Sequence, residues 1–175
     1  LSIACGLELC YTVSGVNFAT LHFNNIPKWD DGTWNNAVCD LNKNGFRLPT
    51  EAEWEWAAMG GKDYKWAGTD SENELGNYAW YEANSNEKTH QVKLKSPNGY
   101  GLYDMTGNVG EWCWDWYGSI TSSTPAAGSA SGSWRSLHGG YWGSSVGPRV
   151  ADRQDANSPG DRVSGFGFRL VRNAD

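Results

Sequence analysis

"NGYGLYDMTGNVGEWCWDWYG", residues 98–118, is the densest stretch of this chain. It opens on residues that favour tight turns and closes on "EWCWDWYG", where Trp112, Trp114 and Trp116 alternate with Cys113 and Asp115. Period two predicts a strand with one tryptophan-lined face. Upstream, "LPTEAEWEWAAMGG" (48–61) is the clearest helix. Thr50 stands at its N-cap and Glu53 three residues on, a capping box. Pro49 marks the entry and Gly60-Gly61 the stop, and Trp54, Ala57 and Ala58 share the inward face. "CYTVSG" (10–15) and "AVCD" (37–40) read as short strands, "NYAWY" (77–81) as a short extended piece, and "FGFRLVR" (166–172) as a final strand. Residues 24–36 and 120–134 read as loops. Short strands, one strong helix and long loops predict an α+β domain dominated by irregular structure.

The whole chain limits what it can be. Its 175 residues suit one domain, and a net charge of −6 argues against nucleic acid, which favours a basic stripe. No run of about 18 apolar residues is present to span a membrane. Eleven Trp and 22 Gly point to loops held by aromatic anchors. Cys5, Cys10, Cys39 and Cys113 form no CxxC pair. A Cys10–Cys39 disulfide and free buried thiols both fit the pattern. His22, His90 and His138 are scattered singly, as packing or surface residues.

Four segments in order, "NGFRLPTEAEWEWAAMGG" (44–61), "NGYGLYDMTGNVGEWCWDWYG" (98–118), "LHGGYW" (137–142) and "GFGFRLVR" (165–172), resemble the formylglycine-generating enzyme family, the sulfatase-modifying factors. The resemblance implies an elaborated C-type-lectin-like fold over residues 1–175: a small twisted antiparallel sheet, a few helices and much loop. It also implies that "LS" ends a family helix and that an N-terminal part of the domain precedes Leu1. In "DMTGNVGE" (104–111) it implies a structural Ca²⁺ loop, with carboxylates from Asp104 and Glu111 and carbonyls from Gly107 and Val109. Calcium takes six to eight such oxygens. Gly110 replaces a bulkier family residue there.

The family's copper-dependent oxidase chemistry needs a reactive cysteine pair between the "GG-aromatic" turn and the terminal "GFR". From Gly139 to Phe168 this chain has none. A branch that holds non-haem iron needs several histidines at metal spacing, which this chain lacks.

The stretch without cysteine has its own bias. From Ser136 onward there is no Lys, Glu or Met, and the last Lys and Glu are Lys95 and Glu111. All residues except Trp142 and Gln154 are types reachable when the two adenines of an AAC or AAT codon are randomised. This pattern resembles the variable proteins of diversity-generating retroelements, which rewrite C-terminal codons on a fixed scaffold. The resemblance implies an exported, cell-surface protein that is not an enzyme. Its partner would be an unknown protein or surface ligand, met by a candidate segment at 136–166. Tyr, Ser, Gly and Asn also form the alphabet of adaptable paratopes. The expected contacts are Tyr141, Gly143, Ser144, Ser145, Val146, Gly147, Asp152, Gln154, Asp155, Ala156, Val163, Ser164, Gly165 and Phe166. Trp142, Arg153, Arg162, Phe168 and Arg169 are expected in the scaffold. The alternatives are the copper-dependent oxidase or an inactive relative, and a carbohydrate-binding lectin, for which no Glu-Pro-Asn or Gln-Pro-Asp motif is present.

Overall fold

A computed structural model describes residues 1–129 and 131–174, with the side chains of 154–156 left outside the description. In chain order the elements are β1 (Tyr11–Thr12), α1 (Gly32–Asn35), β2 (Val38–Cys39), α2 (Glu51–Met59), α3 (Glu82–Ser85), β3 (Gly110–Trp116), β4 (Arg135–His138), β5 (Gln154–Asn157) and β6 (Phe166–Gly167). One sheet has the order β5-β4-β3-β6, and β1 pairs with β2 in a second. The pairs β3–β4 and β4–β5 are antiparallel, but β6 joins β3 in parallel. The sheet is thus mixed, where a purely antiparallel one was expected. The final strand is also shorter than expected: β6 ends at Gly167, and among the described residues beyond it Val171 alone makes a bridge, with Arg47.

Helix α2 forms as the sequence dictates. The Thr50 hydroxyl accepts the Glu53 N–H, the Glu53 carboxylate accepts the Thr50 N–H, and Gly60 ends the helix in the left-handed region. Trp54 and Ala58 are buried and Ala57 is half-buried. They pack with Ala67, Met105, Cys113 and Val150 into the main core.

On β3 the alternation is as read, but the tryptophans do not face the core. Glu111, Cys113 and Asp115 are buried while Trp112, Trp114 and Trp116 are half-buried. The guanidinium of Arg135 lies 4.1 Å from the Trp114 ring centre and 3.6 Å from that of Trp116. Burial pushes Arg135 down to about 10. The stretch 77–81 is extended only toward its end: Asn77 closes a 3-10 helix, Glu72–Asn77, Trp80 makes an isolated parallel bridge with Gly107, and Tyr81, also extended, leads into α3. The reason for its helical start is packing at helical spacing: Leu75 and Ala79, four apart, are both fully buried beside Trp66.

The four cysteines are free. Cys10 donates its thiol to the Gly45 carbonyl at 3.2 Å. Among the described residues, no helix is long and apolar enough to cross a membrane.

Candidate functional site

The irregular stretch between β4 and β6 is pinned to the scaffold mainly through its own backbone. The Gly139 carbonyl accepts from Gly107 N–H at 2.7 Å, and Trp142 N–H donates to the Asn108 carbonyl at 3.0 Å. The Ser85 hydroxyl donates to the Trp142 carbonyl at 2.8 Å, and Glu82 N–H to the Ser144 carbonyl at 3.0 Å. The Trp66 indole N–H reaches the Gly147 carbonyl at 2.7 Å. Val150 N–H donates to the Lys65 carbonyl at 2.8 Å, and Gly110 N–H to the Gly165 carbonyl at 2.7 Å. Contacts of this kind do not depend on which side chain each position of the stretch carries.

Between these pins the expected contact residues line two cavities. One, of about 620 Å³, is lined by Tyr141, Val163, Ser164, Gly165 and Phe166, with Trp142, Arg153 and Asn157. The other, of about 560 Å³, is lined by Ser144, Ser145, Val146, Gly147 and Asp152, facing Lys65, Trp66, Asp70 and Glu72. Tyr141, Ser145, Val146, Asp152, Val163 and Ser164 are exposed. Gly143 is half-buried against the Tyr141 ring. Gln154, Asp155 and Ala156 form most of edge strand β5, and their side chains lie outside the described residues.

Two of the expected contact positions line the cavities as buried glycines. Gly147 is buried at φ +59°, where a Cβ would stand 3.2 Å from Leu75. Gly165 is buried, and a Cβ there would press within 2.8 Å of the Tyr141 ring. At Gly147 the positive φ itself calls for glycine, and at Gly165 the Tyr141 ring fills the space a side chain would take, so both line the cavities through their backbone. Phe168, expected in the scaffold, is 63% exposed, beyond the end of β6.

The remaining scaffold residues are tied down. Arg153 grips the Glu51 carboxylate through Nε and Nη2, donates to the Gly118 carbonyl at 2.5 Å, and stacks 4.5 Å from the Tyr117 ring. His138, fully buried, meets the same carboxylate at 2.8 Å, and the Ser136 hydroxyl donates to it at 3.1 Å. Burial alone would raise the Glu51 pKa, but the bonds from His138 and Arg153 outweigh it and hold the group at about 2. Asp115 accepts the Glu51 backbone N–H at 2.6 Å, yet burial pushes it up to about 6. Glu55 brings a third donor near Glu51 and His138, all within 4.8 Å. That group contains a single histidine, and Glu51 is already neutralised by Arg153. Arg162 donates to the Pro27 carbonyl at 3.1 Å. The 65–72 wall and the Glu51 hub were not singled out from sequence. Neither carries a local pattern, because both arise from long-range packing.

The calcium expectation does not fit the geometry. Both oxygens of Glu111 are occupied by Arg169, at 2.5 and 2.7 Å, and Oε2 also accepts the Trp54 indole N–H at 2.7 Å. The Gly107 carbonyl accepts from Val109 N–H, and Asp104 Oδ2 accepts from Lys93 N–H. Asp104 Oδ1 is buried without a partner. With Glu111 capped by Arg169, Asp104 Oδ1 is the side-chain oxygen of the expected set left open; with the main-chain carbonyls of Gly107 and Val109 the set still falls short of the six oxygens calcium takes.

Cys39 and Cys113 are equally unsuited to copper. Burial pushes Cys39 up to about 11 and Cys113 well above the ordinary thiol range, so neither is a ready thiolate. Neither lines the two cavities.

These features define a formylglycine-generating-enzyme type of C-type-lectin-like domain, and comparison with known proteins agrees. The chain belongs to the sulfatase-modifying factor family: the sulfatase-modifying factor enzyme 1-like domain matches residues 24–174. It is similar to the solved structure of Treponema denticola variable protein 1, with a TM-score of 0.90 and 55% identity, over 97% of this chain and 64% of that one. It is 35% identical to the formylglycine-generating enzyme of Streptomyces coelicolor over 165 residues, 82% of this chain and 52% of the enzyme. It is 40% identical over 147 residues to serine/threonine-protein kinase pkn1 of Chlamydia pneumoniae, 81% of this chain and 23% of that protein. The chain thus spans less than two thirds of the length of each of these relatives.

Proposed function

We propose that this chain is a non-catalytic binding domain that presents a diversified surface, built from residues 141–166, to a protein or surface ligand outside the cell. The observation that carries the reading is the division of labour in that stretch. Its backbone is anchored by the scaffold, while Tyr141, Ser145, Val146, Val163 and Ser164 project into or beside open cavities. A changing surface needs such a separation, since exposed loop positions tolerate exchange and packed ones do not. The similarity to a variable protein supports it. So does the lack of any cysteine between Gly139 and Phe168, where the family's oxidase chemistry requires a pair. Export and surface display are part of this proposal and rest on the resemblance.

The test is genomic. A near-copy of the codons for residues 136–166 should lie beside a reverse-transcriptase gene and differ from them mainly at its adenines. The differing codons should fall on the exposed positions named above and spare Gly147 and Gly165. With no such copy, the stretch is a fixed loop and the diversified-surface reading is lost.

A further inference from the structure

We infer that the guanidinium of Arg169 braces the 104–111 turn by joining Glu111 at its end to the main chain at its start, so that the turn holds its shape without calcium. Arg169 donates from Nε to Glu111 Oε2 and from Nη2 to Glu111 Oε1, a fork-to-fork pair. The same Nη2 lies 3.2 Å from the Tyr103 carbonyl and 3.3 Å from the Asp104 carbonyl. One positive group therefore gathers a carboxylate and two main-chain oxygens from both ends of the turn. That is the task a structural cation performs in a glycine-bearing loop.

Backbone pairing explains why Arg169 arrives there. β6 runs parallel to β3 with Glu111 opposite Gly167, so the residue two beyond Gly167 is delivered to the Glu111 carboxylate. Glu111 is only 7% exposed, and a carboxylate so placed needs a positive partner with satisfied hydrogen bonds. Arg169, the Trp54 indole and the chain direction supply all of that. The fixed segment after the variable stretch thereby locks the turn that lies under its start, where Gly107 holds Gly139 and Asn108 holds Trp142.

The experiment is calcium titration of the whole chain by calorimetry, with thermal melts in CaCl₂ and in EGTA. The expected result is no binding heat and the same midpoint in both. One Ca²⁺ bound per chain, with a raised midpoint that Asp104→Asn removes, would overturn the inference. Arg169→Ala should lower the midpoint by about 10 °C, since it leaves Glu111 buried and unpaired. Calcium should then raise the midpoint of this variant alone, because the vacated space faces oxygens. An Arg169→Ala protein as stable as the parent also overturns the idea. If that variant does not fold, the titration of the parent chain decides the matter.

Discussion

Asp115 and Glu51 sit next to each other, one through its carboxylate and one through its backbone N–H, and titrate in opposite senses. Asp115 is raised to about 6 by burial, so the folded chain takes up its proton before the unfolded chain does. Stability should therefore fall as pH rises from about 4 to about 6, the window between its unfolded and folded values. Glu51 is held at about 2, so its contribution is present above the ordinary glutamate range and is lost as pH falls toward 2. Asp115→Asn keeps an oxygen to accept the Glu51 N–H but cannot ionise. Urea melts from pH 4 to 7 should show the parent losing roughly 2 kcal/mol across the first window and the variant losing little of it. Equal slopes would mean that Asp115 is not the titrating group.

At the scale of elements, legibility followed the range of the interaction. Helix α2 was readable because Thr50, Glu53 and Gly60 state its start and stop within a dozen residues. Thr50→Ala removes one half of the capping box and should cost about 1 kcal/mol, seen as a drop of a few degrees in the melting midpoint. The period of β3 was readable too, but not which face turns inward. That choice was made by Arg135 and Tyr11, distant in sequence, which cover the tryptophans from outside. The segment 77–81 was legible only at its extended end, where Trp80 bridges Gly107; its start is helical because Leu75 and Ala79 bury one helical face. In the candidate site the segment was legible from its residue bias. Gly147 and Gly165 were not separable from the exposed positions of the segment, because a glycine needed by packing and one exposed on a surface are the same letter.

At the scale of the molecule, conserving the scaffold and changing the surface should be separable in the test tube. Simultaneous exchange of Tyr141, Ser145, Val146, Val163 and Ser164 for other small or aromatic residues should change stability by less than about 0.5 kcal/mol per site. Arg153→Ala should cost roughly 3 kcal/mol, since it removes the arginine that pairs with the buried Glu51 carboxylate. Chemical denaturation of the two sets measures both. If the surface set proved as damaging as Arg153→Ala, those positions would be structural.

The order β5-β4-β3-β6 carries one more consequence. The stretch leaves the sheet at the end of β4, on one flank of β3, returns to it as edge strand β5, and rejoins it again at β6 on the other flank. Its two ends are clamped by the same central ribbon whatever happens between them. Between β5 and β6 the segment 158–163 closes a short loop, and for a flexible loop doubling the number of residues adds only about 0.6 kcal/mol of entropy cost. A laboratory repertoire built on this chain could therefore vary loop length at 158–163 as well as the alphabet.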